Sequence, residues 1–286
     1  MKKFMMRRIL VGVLIFTGGM KVFAQTTLSA GDIAFTMYNS GPNSSATTPQ
    51  HEFSFVTLVG LASGTTIYFT DVGVDNTGAF LAAGGSARES AIQYTTSGTV
   101  AAGTQITIGN DYTSAGATSL LHGTGTVTMV TGSPFGAAGT SLLLSQSGDS
   151  LIAYTASSAT STPTFITALD DVSGGGWTSG ATGVNQSALP TGLADGTSAL
   201  SFDFATAKYA QFKFSSIGGT ISSSNSKSAW EAILNDTTNW NVSTSAGYTS
   251  STTSLTVTAI PEPSSYVVLA GLASFGLALR LRRRKI

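Results

Sequence analysis

Asp32-Ile33-Ala34-Phe35-Thr36-Met37-Tyr38 alternates apolar and small or polar side chains. At two residues per repeat, Ile33, Phe35 and Met37 share one face, with Thr36 and Tyr38 on the other, which is the period of a β-strand and not of a helix. Residues 53–59 are apolar on both faces and predict a central strand covered from each side. Alternation returns at residues 66–70, where Ile67 and Phe69 fall together, and further strands are expected at 91–95, 126–131, 150–155 and 164–169. A turn device precedes several of them: Leu61-Ala62-Ser63-Gly64-Thr65 before Ile67, Val100-Ala101-Ala102-Gly103-Thr104 before Ile106 and Ile108, and Ala137-Ala138-Gly139-Thr140 before Leu142 and Leu144. Each glycine supplies a backbone conformation barred to other residues, reversing the chain ahead of a strand. Short strands joined by Gly-rich turns read as an all-β sandwich or barrel.

After Asp171 the alternation weakens, and residues 173–185 form a Gly-rich loop around Trp177. One helix is expected, opened by the capping box Ser228-Ala229-Trp230-Glu231, with Trp230, Ile233 and Leu234 on one face and an end near Asn235. Trp230 and Trp240 are expected to seal one end of the fold. Residues 243–254 read as a Ser/Thr-rich linker with a last strand at 254–258. The expected organisation is a leader at 1–24, a cargo domain at 25–246, a linker at 247–260 and a C-terminal segment at 261–286.

The formal charge of zero averages over very different regions. Between residues 25 and 260 the cations are Arg88, Lys208, Lys213 and Lys227, against thirteen Asp and Glu, for a net charge near −9. That balance argues against nucleic acid or an anionic membrane surface as a partner. With no cysteine, the domain folds without disulfides, and its length is enough to bury a core of its own.

The two ends carry the address. Lys2, Lys3, Arg7 and Arg8 form a basic start, residues 9–16 an apolar stretch, and Val22-Phe23-Ala24 a small-residue cleavage site before Gln25, the parts of a signal peptide. General secretion through the translocase and signal peptidase is expected over twin-arginine export, because no cofactor motif follows Arg7-Arg8. At the other end stand Pro261-Glu262-Pro263, an apolar run expected as a transmembrane helix at 265–281, and a basic cluster of Arg280, Arg282, Arg283, Arg284 and Lys285. The run is short for a span of roughly 20 residues, which snorkelling arginines can accommodate. The cluster marks the cytoplasmic side. The prolines hold the triplet stiff and helix-free outside the bilayer.

That ordered triplet, apolar run and basic end resemble the PEP-CTERM sorting signal of Gram-negative bacteria. The resemblance implies recognition by exosortase, a membrane-embedded cysteine transpeptidase-like enzyme. It implies transient anchoring in the inner membrane, removal of the tail and delivery to the cell surface or extracellular matrix. A plain C-terminal anchor stays open as the alternative. A second resemblance runs through Gly31-Asp32-Ile33-Ala34-Phe35, Glu52-Phe53-Ser54-Phe55-Val56, Gly64-Thr65-Thr66-Ile67-Tyr68-Phe69-Thr70-Asp71, Ser147-Gly148-Asp149 and Pro163-Thr164-Phe165-Ile166. These segments are similar to secreted bacterial domains related to the lamin-tail β-sandwich. They imply an immunoglobulin-like two-sheet fold, and no catalytic residues come with them.

No catalytic constellation is legible. The two histidines, His51 and His122, stand in separate loop-like settings, and there is neither a G-x-S-x-G elbow nor a phosphate-binding loop. No metal is expected. If a cation is held, the calcium candidates are the oxygen-rich strand ends, Asp71, Asp75, Asp170 and Asp171, although an Asp after a strand more often caps a turn. The sequence therefore reads as a non-enzymatic exported protein with a structural, adhesive or polysaccharide-associated role. A secreted hydrolase with a pair of carboxylates across a cleft is the alternative.

Overall fold

The computed structural model describes residues 25–40, 51–82, 89–110, 117–130, 132–136, 142–172, 174–183, 186–203 and 205–258. The leader through Ala24, the triplet Pro261, Glu262 and Pro263, the run at 265–281 and the cluster Arg280, Arg282, Arg283, Arg284 and Lys285 lie outside them. Among the described residues no helix is long and apolar enough to cross a membrane.

The expected early strands form where the alternation placed them: β1 (Ile33–Asn39), β2 (Glu52–Thr57), β3 (Thr66–Thr70), β4 (Ala91–Thr95) and β5 (Gln105–Asn110). They continue as β6 (Thr118–His122), β7 (Thr126–Val130), β8 (Asp149–Thr155) and β9 (Thr164–Val172). The weakly patterned second half adds β10 (Ala199–Asp203), β11 (Tyr209–Phe212), β12 (Ser224–Ser226), the helix α1 (Lys227–Leu234), β13 (Trp240–Ser243) and β14 (Thr256–Thr258).

Among the described residues two six-stranded sheets result, β13-β11-β1-β2-β5-β6 and β10-β9-β8-β3-β4-β7, with β12 and β14 as a separate ribbon. Pairing within the two large sheets is antiparallel except between β9 and β10. The sheets face one another across an aromatic core: Phe53 and Phe55 of the first sheet each lie 4.9 Å, centroid to centroid, from Phe69 of the second. Strand β2 is central and buried along its whole length, as its apolar sequence requires.

Four local readings are corrected. First, Met37 does not share a face with Phe35. The register moves from Phe35 opposite Phe55 to Met37 opposite Ser54, so Thr36 is a bulge. A bulge residue exchanges the faces of everything after it. Tyr38 therefore joins Ile33 and Phe35 in the inter-sheet core. Met37 points away from it, its sulfur near the side-chain amides of Asn39 and Gln211.

Second, Leu142 and Leu144 are buried but form no strand. Thr118 Oγ1 takes the Leu142 N–H at 2.7 Å, and the Leu142 carbonyl accepts from Asn110 at 3.4 Å, so side chains replace a ladder. Third, the N-cap of α1 is Ser226, whose hydroxyl accepts from Ala229 N at 3.3 Å. Glu231 instead pairs with Lys227 one turn back, and Lys227 also reaches Asp32 at 3.2 Å, tying the helix to the start of β1.

Fourth, residues 247–258 are a packed strap and not a free linker. Asn39 holds Tyr248 from both sides, Nδ2 donating to its carbonyl at 2.7 Å and Oδ1 accepting its N–H at 3.0 Å. Gln211 donates to the Thr249 carbonyl at 2.6 Å. The strap crosses the face of the first sheet turned away from the second. It buries Leu255, whose N–H bonds Gly103 O at 2.8 Å, and ends as β14, parallel to β12.

Gly64 and Gly103 both have positive φ, +81° and +86°, as the turn device requires. They differ in surroundings. A Cβ at Gly103 would lie 1.8 Å from Leu255 O, whereas nothing lies within 4 Å of one at Gly64. Gly64→Ala is expected to cost about 1 kcal/mol from backbone strain alone. Gly103→Ala is expected to cost at least twice that, because the strap must also shift. Urea midpoints of the two variants check the difference, and equal losses would show the strap contact to be slack.

Candidate functional site

Acidic side chains gather where β3, β8 and β9 meet one end of the core. Asp149 pairs with Asp171 across β8 and β9, and Asp71 follows β3, whose Thr70 pairs with Ile152. Alternation puts Asp71 on the face of Phe69, Asp149 on that of Leu151 and Asp171 on that of Leu169, all three of them core residues. Asp71 and Asp171 are fully buried and Asp149 nearly so. Asp71 Oδ1 accepts from Ser90 N at 2.6 Å, and Asp149 accepts from Ser145 N at 2.9 Å and Ser150 N at 2.8 Å. Among the described residues both oxygens of Asp171 have no hydrogen-bond partner, while the Leu143 backbone acts alongside Ser90 on the Asp71 carboxylate.

Burial pushes all of these carboxyls above their ordinary range. For Asp71 the carboxyl of Glu89 adds to the effect, and for Asp149 those of Asp71 and Glu89 do. Asp171 rises to about 8 by burial and the nearby Asp203, with Lys208 opposing. Glu89 rises to about 7 by burial. Tyr38, reaching in from β1, is raised well above the phenol range by burial and then by Asp171, Asp149 and Asp170.

The four calcium candidates are not brought together. Asp75 is exposed and caps its own turn, accepting from Thr77 N at 2.8 Å, Thr77 Oγ1 at 2.7 Å and Ala79 N at 3.0 Å. Those bonds, the Thr77 hydroxyl first, hold its carboxyl below the ordinary range. Asp170 alternates with Asp171 and so faces the opposite side of the sheet, where burial and then Asp171 and Asp195 raise it to about 8. Among the described residues no group of three His, Asp or Glu side chains is placed to hold a metal ion. His51 Nδ1 lies 3.0 Å from Leu144 O, and His122 is exposed at the end of β6.

Two acids were overlooked in the sequence. Glu89 joins the acidic end, and Glu52 is buried beneath the strap. Burial raises Glu52 to about 7, moderated by the nearby Ser250 and Asn39 side chains. The available signal was a carboxylate standing directly against an apolar strand, Glu52-Phe53-Ser54-Phe55.

The surface offers shallow polar grooves. One of about 460 Å³ is lined by Asp195, Ser201, Asn235, Asp236 and Thr237. Its two carboxylates already serve local structure: Asp195 accepts from Trp177 Nε1 at 3.1 Å and Asp236 caps the turn at Thr238. Two further grooves, of about 420 and 350 Å³, share Thr162 and Thr164; the first presents more apolar than polar surface, with Phe165 and Pro163 in its wall, and the second is lined largely by hydroxyls.

Fold and surface together define an all-β, two-sheet domain whose last strand leads directly into the C-terminal segment. Residues 259–284 of that segment match the PEP-CTERM protein-sorting motif, so the chain carries this signal, which supports an exosortase-substrate protein. The motif implies export and membrane-associated sorting. No curated protein and no solved structure matches the chain significantly.

Proposed function

We propose that the protein is an exported surface or matrix component that acts by structure or adhesion, without catalysis, and associates with extracellular polysaccharide. The observation that carries this reading is the sorting motif at residues 259–284. The signal-peptide pattern at 1–24 agrees with it, with cleavage between Ala24 and Gln25, and so does the acidic, hydroxyl-rich character of the mature domain. Exosortase recognises Pro261, Glu262 and Pro263, while Arg280, Arg282, Arg283, Arg284 and Lys285 hold the run at 265–281 in the inner membrane. The domain itself is a lamin-tail-like, immunoglobulin-like sandwich. The paired threonine-lined grooves give a hydroxyl-bearing chain a place to lie, and calcium is not required.

The hydrolase alternative would draw on Asp195 and Asp236, which share one groove. Hydrogen bonds from Thr238 hold Asp236 below the ordinary carboxyl range, the reverse of what a general acid needs.

Mass spectrometry of the protein from its native host tests the sorting reading. The expected mature chain begins at Gln25 and lacks the Arg-rich end. An intact tail on surface-exposed protein would leave only the plain anchor. Glycan-array binding with and without calcium tests the polysaccharide association.

A further inference from the structure

The inner face of three neighbouring strands ends in Asp71, Asp149 and Asp171, and closing the sandwich removes all three from water. They meet other acids. Glu89 stands beside Asp71 ahead of β4, Asp170 lies on the far face of β9, and Asp203 approaches from β10. The phenol of Tyr38, itself fully buried, faces them from β1. Among the described residues Lys208, just before β11, is the cation that acts on the group, and it acts on Asp171. Among the described residues both carboxylate oxygens of Asp171 are buried without a hydrogen-bond partner. An ionised carboxylate left so in a dry interior is far more costly than a neutral acid.

We propose that this end is a proton-dependent latch: with Asp71, Asp149 and Asp171 as neutral acids the two sheets close over it, and their ionisation in alkaline medium forces it open. The function is regulatory and independent of whether the grooves bind a polysaccharide. An exported protein meets the pH of its surroundings directly, and the latch makes it tighter in acid than in alkali.

The direction follows from proton counting. In the unfolded chain an aspartate gives up its proton near pH 4. In the closed fold Asp171 keeps it until about pH 8. Across that window the folded state binds more protons than the unfolded state, so stability is full below the window and falls as pH rises through it. Ordinary proteins, with ion-paired carboxylates, change in the opposite sense on the acid side.

Thermal unfolding of the full chain in mild detergent, from pH 5 to pH 8.5, reads this out. The wild type is expected to lose roughly 10 °C or more of melting temperature over that range. Asp171→Asn, which keeps the shape of the neutral acid and cannot ionise, is expected to lose markedly less and to melt above the wild type at pH 8. Asp149→Asn gives a second variant with the same expectation for the slope. Asp75→Asn, on the exposed turn, should keep the wild-type slope. Hydrogen exchange at the Ser90, Ser145 and Ser150 amides, corrected for intrinsic rates, should open at least tenfold more often at pH 8 than at pH 5, while Ile106 changes less. A wild-type melting temperature that is flat or rising with pH overturns the latch. So does a full slope in both Asn variants, or a slope abolished by millimolar calcium, which would make the row a cation site instead.

Discussion

Trp230→Ala is expected to lower the stability of the domain by about 3–5 kcal/mol, the cost of removing a large core aromatic that its surroundings cannot close over. Trp230 is fully buried, and its indole N–H donates to Thr256 O at 2.9 Å, so the side chain joins the helix to the strap as well as filling space. Trp240 supports the same corner. It stacks edge-on to Phe202 at 5.3 Å and to Phe212 at 6.4 Å, and it donates to Leu234 O at 2.9 Å. The expected fall in melting temperature is roughly 10 °C. Trp230→Phe keeps most of the packing and leaves the Thr256 carbonyl without its donor, a loss nearer 1–2 kcal/mol. Equal losses for the two variants would show that the hydrogen bond, and not the packing, dominates.

The second large effect is expected from the strap. A chain ended after Ala246 loses Leu255 from the core, the bonds from Asn39 and Gln211, and the partner of the Trp230 indole. It should be recovered misfolded, or cleaved within minutes by a protease that spares the intact domain. A chain ended after Thr258 should melt within about 2 °C of the full-length protein, because it keeps the strap whole. Identical behaviour of the two truncations would restore the reading of these residues as a linker. Leu255→Asp separates burial from chain length, and is expected to cost about 3 kcal/mol or more by placing a charge in the core.

What was legible in the sequence divides along physical lines. Strands β1 to β5 and β7 to β9 announce themselves because one or both faces are packed with large apolar side chains, and that pattern survives any topology. Strands β10 to β13 carry shorter patterns broken by Gly, Ser and Thr, and they form because the early strands give them partners. The bulge at Thr36 is invisible in one strand, since it exists only as a mismatch against β2. The strap misled for a related reason. Its Ser- and Thr-rich composition is that of a linker, but its backbone groups bond the side chains of Asn39 and Gln211, and Leu255 is buried with Val257 packed against the same core. At the acidic end, Asp71, Asp149, Asp170 and Asp171 stand out individually. Which of them share a face depends on pairing across β3, β8 and β9, so the sequence alone groups Asp170 and Asp75 with Asp71 and only the pairing separates them.

The last ladder residue, Thr258, stands immediately before the first residue of the sorting motif. Cargo and address therefore abut, with no slack between them. From Thr258 to residue 265 the chain spans at most about 25 Å even when drawn straight. A domain tethered by the segment proposed to span the membrane would ride close against the bilayer, with α1 and the ribbon of β12 and β14 nearest to it. Severance at the triplet would then free the domain with every described strand intact, so that release would not require the sandwich to rearrange.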